Sequence, residues 1–221
     1  MLIQRNSESG AVMARKANGG GAWRWSRTAE TRRVLLNAAR EVFCEQGFTD
    51  ASISDVVSRA GSSTGSLYHH FGGKAELFLA LWEDHRTTLE QAAAAAVAEA
   101  RAGGEDDPLN LFIAGAHAFL EGSWQRRDLT RLFMDGDAPP GFELIRRTSG
   151  REWVRQNAVL LGAGTSSVDR MTVMVLTGLI GEAGREIATS ASKREANRIA
   201  DAAIVLIRRL DPLGRTAEPA T

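Results

Sequence analysis

The residues best placed to do chemistry lie between Ser52 and Phe71. Ser52-Ile53-Ser54-Asp55 reads as a capping box, in which a serine and a carboxylate three positions on satisfy two orphan amides reciprocally, so a helix starts at Ile53. Ile53, Val56, Val57 and Ala60 form its buried face, and Gly61 can take the left-handed conformation that ends it. Ser63 then caps a second helix after a turn of only a few residues, the tight connection of a helix-turn-helix. That second helix, Thr64 to about His70, mixes small polar with aromatic side chains. Leu67 and Phe71, four apart, anchor one face, while Thr64, Ser66 and His69 project from the other with Tyr68 at the edge. Outward polar groups on so short a helix are poorly explained by stability. They suit contacts to base edges and phosphates in a major groove.

Other chemistries find less support. There is no phosphate-cradling glycine loop, no metal-ligand spacing and no nucleophile–base pair, so neither an enzyme nor a cofactor is expected. His69 and His70 are adjacent and would diverge by about 100° on a helix, and no cysteine or carboxylate cluster completes a metal site around them. Cys44, the only cysteine, rules out an internal disulfide and fits a reducing cytoplasm. Near the apolar face of its helix, it reads as an inert buried thiol in preference to a redox sensor.

The elements that must position these groups are helical. The chain has 221 residues, 43% hydrophobic and 24% charged, enough to bury a core in one or two domains. Alanine, leucine, glutamate and arginine dominate, so an all-α fold is expected. No apolar run approaches the ~20 residues needed to span a bilayer, and the N-terminus lacks the apolar stretch of a signal peptide, so a cytoplasmic location away from membranes is expected. Net charge is zero, but residues 1–40 hold eight bases against two acids, +6, leaving −6 for the remainder. A basic end on a neutral protein is what a localised phosphate contact needs.

Residues 1–26 lack periodicity and are expected to form a mobile basic tail, with Met13 an alternative start to Met1. A first helix, about Thr28–Gln46, stops at Gly47. After the helix-turn-helix, a long helix opens at Lys74 and ends at Gly103-Gly104. Further helices are expected from Asp107-Pro108 to about Trp124, near Asp128–Met134, over Phe142–Leu161, over Val168–Ala188 and over Lys193–Leu210. Ser166–Asp169 and Ser192–Glu195 fit capping boxes for the last two. Nine helices result, divided into a DNA-binding head at 27–73, a helical body at 74–210 and a C-terminal tail at 211–221.

The run Gly47-Phe48…Ser52-Ile53-Ser54-Asp55-Val56…Ala60-Gly61…Ser63…Gly65-Ser66-Leu67-Tyr68-His69-His70-Phe71…Lys74…Glu76-Leu77-Phe78 resembles the signature of the TetR family of bacterial regulators. The close likeness covers roughly 28–82. It implies a homodimer that binds a near-palindromic double-stranded DNA operator, usually as a repressor released by a small ligand. By that resemblance Ser52 and Ser63 cap their helices near phosphates, and Thr64, Gly65 and Ser66 occupy reading positions. Tyr68 and His69 touch phosphates or a base edge, Lys74 neutralises a phosphate, and Arg27 and Thr28 do similar work at helix 1. The sequence departs from the family pattern at Thr64, often basic, at Ser62, usually a buried valine, and at Gly72-Gly73, usually a stiffer turn.

In the second half, Trp82, His85, Phe119, Trp124, Phe133, Trp153, Asn157 and Met174 are the candidates to face a ligand cavity. Such a lining, largely apolar with few polar groups, favours a hydrophobic or amphipathic effector. On the last two helices, Gly178, Gly181 and Arg185, with Ile199, Ala203, Leu206 and Ile207, are the candidates for a four-helix dimer interface, by resemblance to the family. The alternatives are regulation by a protein partner or by Cys44 oxidation, without a small ligand.

Overall fold

The computed structural model describes the backbone of residues 19–210, and the side chains of 28–210 except position 135. The expected tails at 1–18 and 211–221, and the choice between Met1 and Met13, lie outside the described residues. Within them the chain forms nine α-helices and no strand. These are α1 (Gly19–Asp50), α2 (Ile53–Arg59), α3 (Thr64–Phe71), α4 (Lys74–Ala102), α5 (Pro108–Gln125), α6 (Arg127–Asp135), α7 (Phe142–Leu161), α8 (Ser167–Thr189) and α9 (Lys193–Arg209).

The largest departure from the sequence reading is at α1. Its helical backbone begins at Gly19, so Gly19–Thr28 belongs to the helix and not to a tail. No proline interrupts this stretch, and alanine and arginine favour continuation. At the other end Gly47 does break the helix, at φ 78° and ψ 177°, before a last turn leads to Asp50. A side chain here would be strained, and its Cβ would fall 2.6 Å from Asp137 Oδ1.

Capping matches the expected positions more closely than the expected chemistry. Ser166 and Asp169 form the full reciprocal box. Ser52 Oγ accepts from the Asp55 amide at 3.1 Å, but its hydroxyl also donates to Asp55 Oδ2 at 2.7 Å, so that carboxylate answers the hydroxyl. Ser192 caps Glu195, whose carboxylate turns to the Ala191 amide instead.

Two apolar cores result. The first gathers Leu35, Ala39, Val42 and Phe43 of α1 around Leu67, Leu77 and Phe78, then continues to Leu129 and Phe133 of α6 and Phe142 of α7. The head therefore has no packing boundary at residue 73, because its core is completed by helices far along the chain. The second core joins α5, α8 and α9 through Phe112, Leu120, Leu176, Ile187, Ala203 and Ile207. Helix α4, 29 residues and thus roughly 43 Å long, lies along α5. Gly122 permits that approach, since a Cβ there would sit 2.6 Å from Leu89 Cδ2.

Candidate nucleic-acid interface

Helix α3 is fastened at both ends and on one face, which leaves its other face outward. Ser63 Oγ accepts from the Ser66 amide at 3.2 Å and starts the helix. Gly72, at φ 95°, ends it. Leu67 is fully buried, and Phe71 packs at the edge of the same core beneath the Arg32 guanidinium, 5.0 Å from its ring centre. Thr64, Gly65, Tyr68 and His69 are all exposed, and Ser66 is half-buried between them. Tyr68 leaves 52% of its surface in solvent, an unusual placement for an aromatic with no burial to gain. A Cβ added at Gly65 would meet nothing within 4 Å, so the protein's own packing places no demand for glycine there.

The head packs by α1 against α2 and α4, and by α2 against α3. Half-buried Ser52 caps α2, and Thr28 is exposed on α1. Arg27 lies in the α1 backbone, its side chain outside the described residues. Lys74 departs from a simple phosphate clamp: its ammonium donates to the Thr49 carbonyl at 2.9 Å and lies 4.7 Å from the Phe48 ring centre. Its charge stands at the head, but its hydrogen bond holds the turn after Gly47.

Three residues that matter to the head escaped the sequence reading. Arg32 lies beside α3, and burial first, then the neighbouring His69 imidazole and the Arg32 charge, lower the His70 pKa. Arg40 of α1 clasps Asp128 of α6 through two bonds of 2.6 and 2.7 Å. Burial raises the Asp128 carboxyl, but the Arg40 hydrogen bond and charge outweigh it and hold the group low. Asp137, in the loop before α7, accepts from the amides of Phe48 at 2.7 Å and Thr49 at 2.5 Å. Its carboxylate therefore holds the backbone just ahead of α2. Only the unusual need for glycine at 47 hinted at this, and nothing in the sequence pointed to residue 137 as the cause.

The body divides the candidate ligand residues among separate places. Trp82, His85 and Phe133 share one aromatic cluster, with Trp82 and His85 rings each within 5.4 Å of Phe133. Burial, then the positive Arg126, drives the His85 pKa down to about 3 against the opposing pull of Asp128, so the imidazole is neutral. Phe119 stacks edge-on with Trp153 at 4.8 Å, and Asn157 donates to Thr177 Oγ1 at 3.0 Å. Trp124 lies elsewhere, under Arg127 and Lys193 beside a cavity of about 270 Å³ between α5, α8 and α9. Met174 is exposed on the α8 surface.

The candidate interface residues separate as well. Ile207, Ala203 and half-buried Ile199 pack into the second core of their own subunit. Gly178, Arg185 and Leu206 are exposed and Gly181 is half-buried, the two glycines with open space where a Cβ would stand. Cys44 sits partly buried, 3.8 Å from Asp128. Burial and that negative neighbour push its thiol up to about 12, far from a reactive thiolate. Among the described residues no group of three or more His, Cys, Asp or Glu side chains could hold a metal ion. Nor is any helix there long and apolar enough to cross a membrane.

A family profile described as "Bacterial regulatory proteins, tetR family" matches residues 35–81, from α1 to α4. The transcriptional activator FasR of Mycolicibacterium smegmatis is 30% identical over 158 residues, covering 63% of this chain and 70% of FasR. The chain belongs to the TetR family. The regulator SrpR of Pseudomonas putida is 39% identical over 61 residues, but these make up only 28% of this chain and 29% of SrpR, so the likeness spans under a third of that relative's length. In fold, the chain is similar to native NalD of Pseudomonas aeruginosa, the secondary repressor of the MexAB-OprM multidrug efflux pump. That likeness has a TM-score of 0.65 at 20% identity, over 82% of this chain and 96% of NalD. TetR membership makes the chain a helix-turn-helix transcription regulator, not an enzyme, and among the described residues its nine helices form a head and a helical body.

Proposed function

We propose that this TetR-family regulator binds a near-palindromic DNA operator as a homodimer and is a repressor released by a small hydrophobic or amphipathic effector. The observation that carries the reading is α3: Leu67 fastens it to the core while Thr64, Gly65, Ser66, Tyr68 and His69 face outward. That face suits base edges and phosphates, with the open side of Gly65 allowing a close backbone approach. Arg27, Thr28, Ser52, Ser63 and Lys74 supply the flanking backbone contacts. Selection of bound duplexes from a random DNA library, followed by titration at two salt concentrations, tests it. A palindromic consensus with strongly salt-dependent affinity is expected; binding without any sequence preference would overturn the reading.

Two heads must meet major grooves about one helical turn, roughly 34 Å, apart. Dimerisation sets that spacing, and α8 and α9 offer the surface for it. Val168, Met171, Met174 and Val175 are exposed along α8 beside the open Gly178 and Gly181, and Val205 and Leu206 are exposed on α9, with Leu210 at its C-cap. Apolar groups gathered in this way commonly mark an association surface. Met174 thus belongs to the interface in this reading, and Ile199, Ala203 and Ile207 support it from behind.

An effector releases DNA only if it favours a conformation with another head spacing. The aromatic group of Trp82, His85 and Phe133 is the part of the ligand candidates nearest the head, since Phe133 also packs against Phe78 of the first core. The rings of Phe119 and Trp153, with Asn157, form the second ligand-facing group, farther along the body. Loss of operator affinity at saturating effector is the expected readout, and a reporter gene behind the selected operator reads the sign of regulation. Control through Cys44 is the weaker reading because its thiol is held protonated.

A further inference from the structure

The loop between α6 and α7 does two things at once. On its outer side Asp137 holds the Phe48 and Thr49 amides of the head. On its inner side the neighbours of Asp137, Gly136 and Ala138, line a cavity of about 270 Å³. Phe133, Met134, Pro139, Phe142, Glu143 and Arg146 form the rest of its working wall. The volume lies just below the ~300–1,000 Å³ of ordinary small-molecule pockets, so a fitting ligand is small.

The hydrogen-bonding groups around this cavity are short of acceptors. Arg146 directs Nε and Nη2 to Glu143 Oε2 at 3.0 and 2.8 Å, while its Nη1 meets only Met134 Sδ at 3.7 Å. A thioether is a weak acceptor, so this N–H remains a strong donor for an incoming oxygen. Glu143 also accepts from Arg147 at 2.9 Å, leaving two guanidinium groups to one carboxylate. Behind Phe133 and Phe142, whose centroids lie 5.2 and 5.3 Å from that of Trp82, the buried Trp82 Nε1 has no partner. Trp82 itself does not line the cavity, so the donor there is the Arg146 Nη1 N–H, and beside the Phe133, Phe142 and Pro139 faces it calls for a flat or chain-like apolar body bearing an anionic oxygen group.

We infer that the cavity under the 136–141 loop is an effector site for small aromatic or acyl carboxylates, and that Asp137 transmits its occupation to the DNA-binding head. This rests on the reading that ligand binding releases DNA. A carboxylate drawn to Arg146 wedges against Pro139 and Phe142, shifts the loop, and loosens the grip of Asp137 on the turn at 48–49. That turn lies three residues before the Ser52 cap of α2, and its far side is held by Lys74 at the Thr49 carbonyl. The same displacement reaches the head through packed rings, since Phe133 and Phe142 both touch Phe78, which touches Phe48.

The test uses the full chain with benzoate, phenylacetate and octanoate, and with benzyl alcohol and benzylammonium as neutral and cationic counterparts. Calorimetry without DNA is expected to give saturable binding of at least one carboxylate at millimolar concentration or below. The Arg146→Met variant should bind it roughly tenfold or more weakly, as loss of a charged hydrogen bond implies, while Arg146→Lys retains part of the affinity. In wild type the carboxylate should lower operator affinity; in Asp137→Ala, and less fully in Asp137→Asn, that response should shrink although the carboxylate still binds. Binding of benzyl alcohol as tight as that of benzoate, or no carboxylate binding, would overturn the site. Binding with no change in operator affinity would overturn the coupling. A chain that selects no operator at all would sink the functional reading, while the calorimetry would still decide the site.

Discussion

Helix α3 and helix α8 both present a face to solvent, but they do so for different reasons. On α3 the exposed side chains are small or carry a polar group, Tyr68 included, while Leu67, with Phe71 at the edge, carries the attachment to the core. On α8 the exposed face includes Val168, Met171, Met174 and Val175, residues whose exposure gains nothing for a lone subunit. In the proposed reading the first face meets a hydrated, charged partner, and the second another apolar surface. An exposed face is therefore informative through the mismatch between its chemistry and water, and the two helices mismatch in opposite senses.

The sharpest way to separate the two is to damage each alone. Leu67→Ala empties a fully buried site and should cost about 2–5 kcal/mol, freeing α3 from the head. Operator binding should disappear in an anisotropy titration, while light scattering still reports a dimer. If DNA binding survives, α3 is not the reading element. Met174→Asp should do the reverse: with its side chain already exposed, thermal stability of the monomer changes little, but an apolar interface must now bury a charge. A dimer of unchanged stability would show that this part of α8 is not the contact.

Between these two faces, the aromatic cluster of the body offers a pH probe. His85 is buried and neutral, with its pKa lowered to about 3 from an ordinary value near 6.5. Protonation therefore favours the unfolded chain, so this contribution is complete above about 6.5 and is lost as pH falls toward 3. The slope approaches about 1.4 kcal/mol per pH unit in that window. His70, also lowered, adds to it with the same sign. Chemical denaturation at pH 7.5 and 5.5 should show the loss, and His85→Leu should remove most of the difference; an unchanged difference would place the titration elsewhere.

The smallest effect on stability is expected on the exposed face of α3. His69→Ala should leave the melting temperature unchanged because the side chain is exposed. It should weaken operator binding by about 1–3 kcal/mol if His69 reads a base edge, with altered preference at one position. A uniform loss across sequences would move His69 to the phosphate contacts instead.

The legible parts of this protein were those in which a few neighbouring residues decide the outcome. The starts of α2, α3, α5 and α9 were readable because Ser52, Ser63, Asp107 and Ser192 supply capping oxygens to amides three positions away. The inward turn of Leu67 followed from helical spacing alone. The extension of α1 to Gly19 was missed because residues 1–26 show no apolar periodicity. Asp137 was missed because its partners lie almost ninety positions earlier in the chain.

On α9, Ile199, Ala203, Leu206 and Ile207 form one stripe in sequence, yet Ile207 is fully buried in its own subunit while Leu206 is half in solvent. Periodicity tells that a helix has an apolar side; it carries no information on which neighbour covers each part of it. The sequence by itself determined the helical grammar, the helix-turn-helix and the polarity of the exposed face of α3, all properties of residues within a turn or two of one another. Only the tertiary structure decided that Lys74 and Asp137 hold the same turn from two sides, that Arg40 pairs with Asp128, and that the ligand candidates fall into separate groups. Those outcomes depend on contacts closed across long stretches of chain, where packing of the whole fold selects the partner.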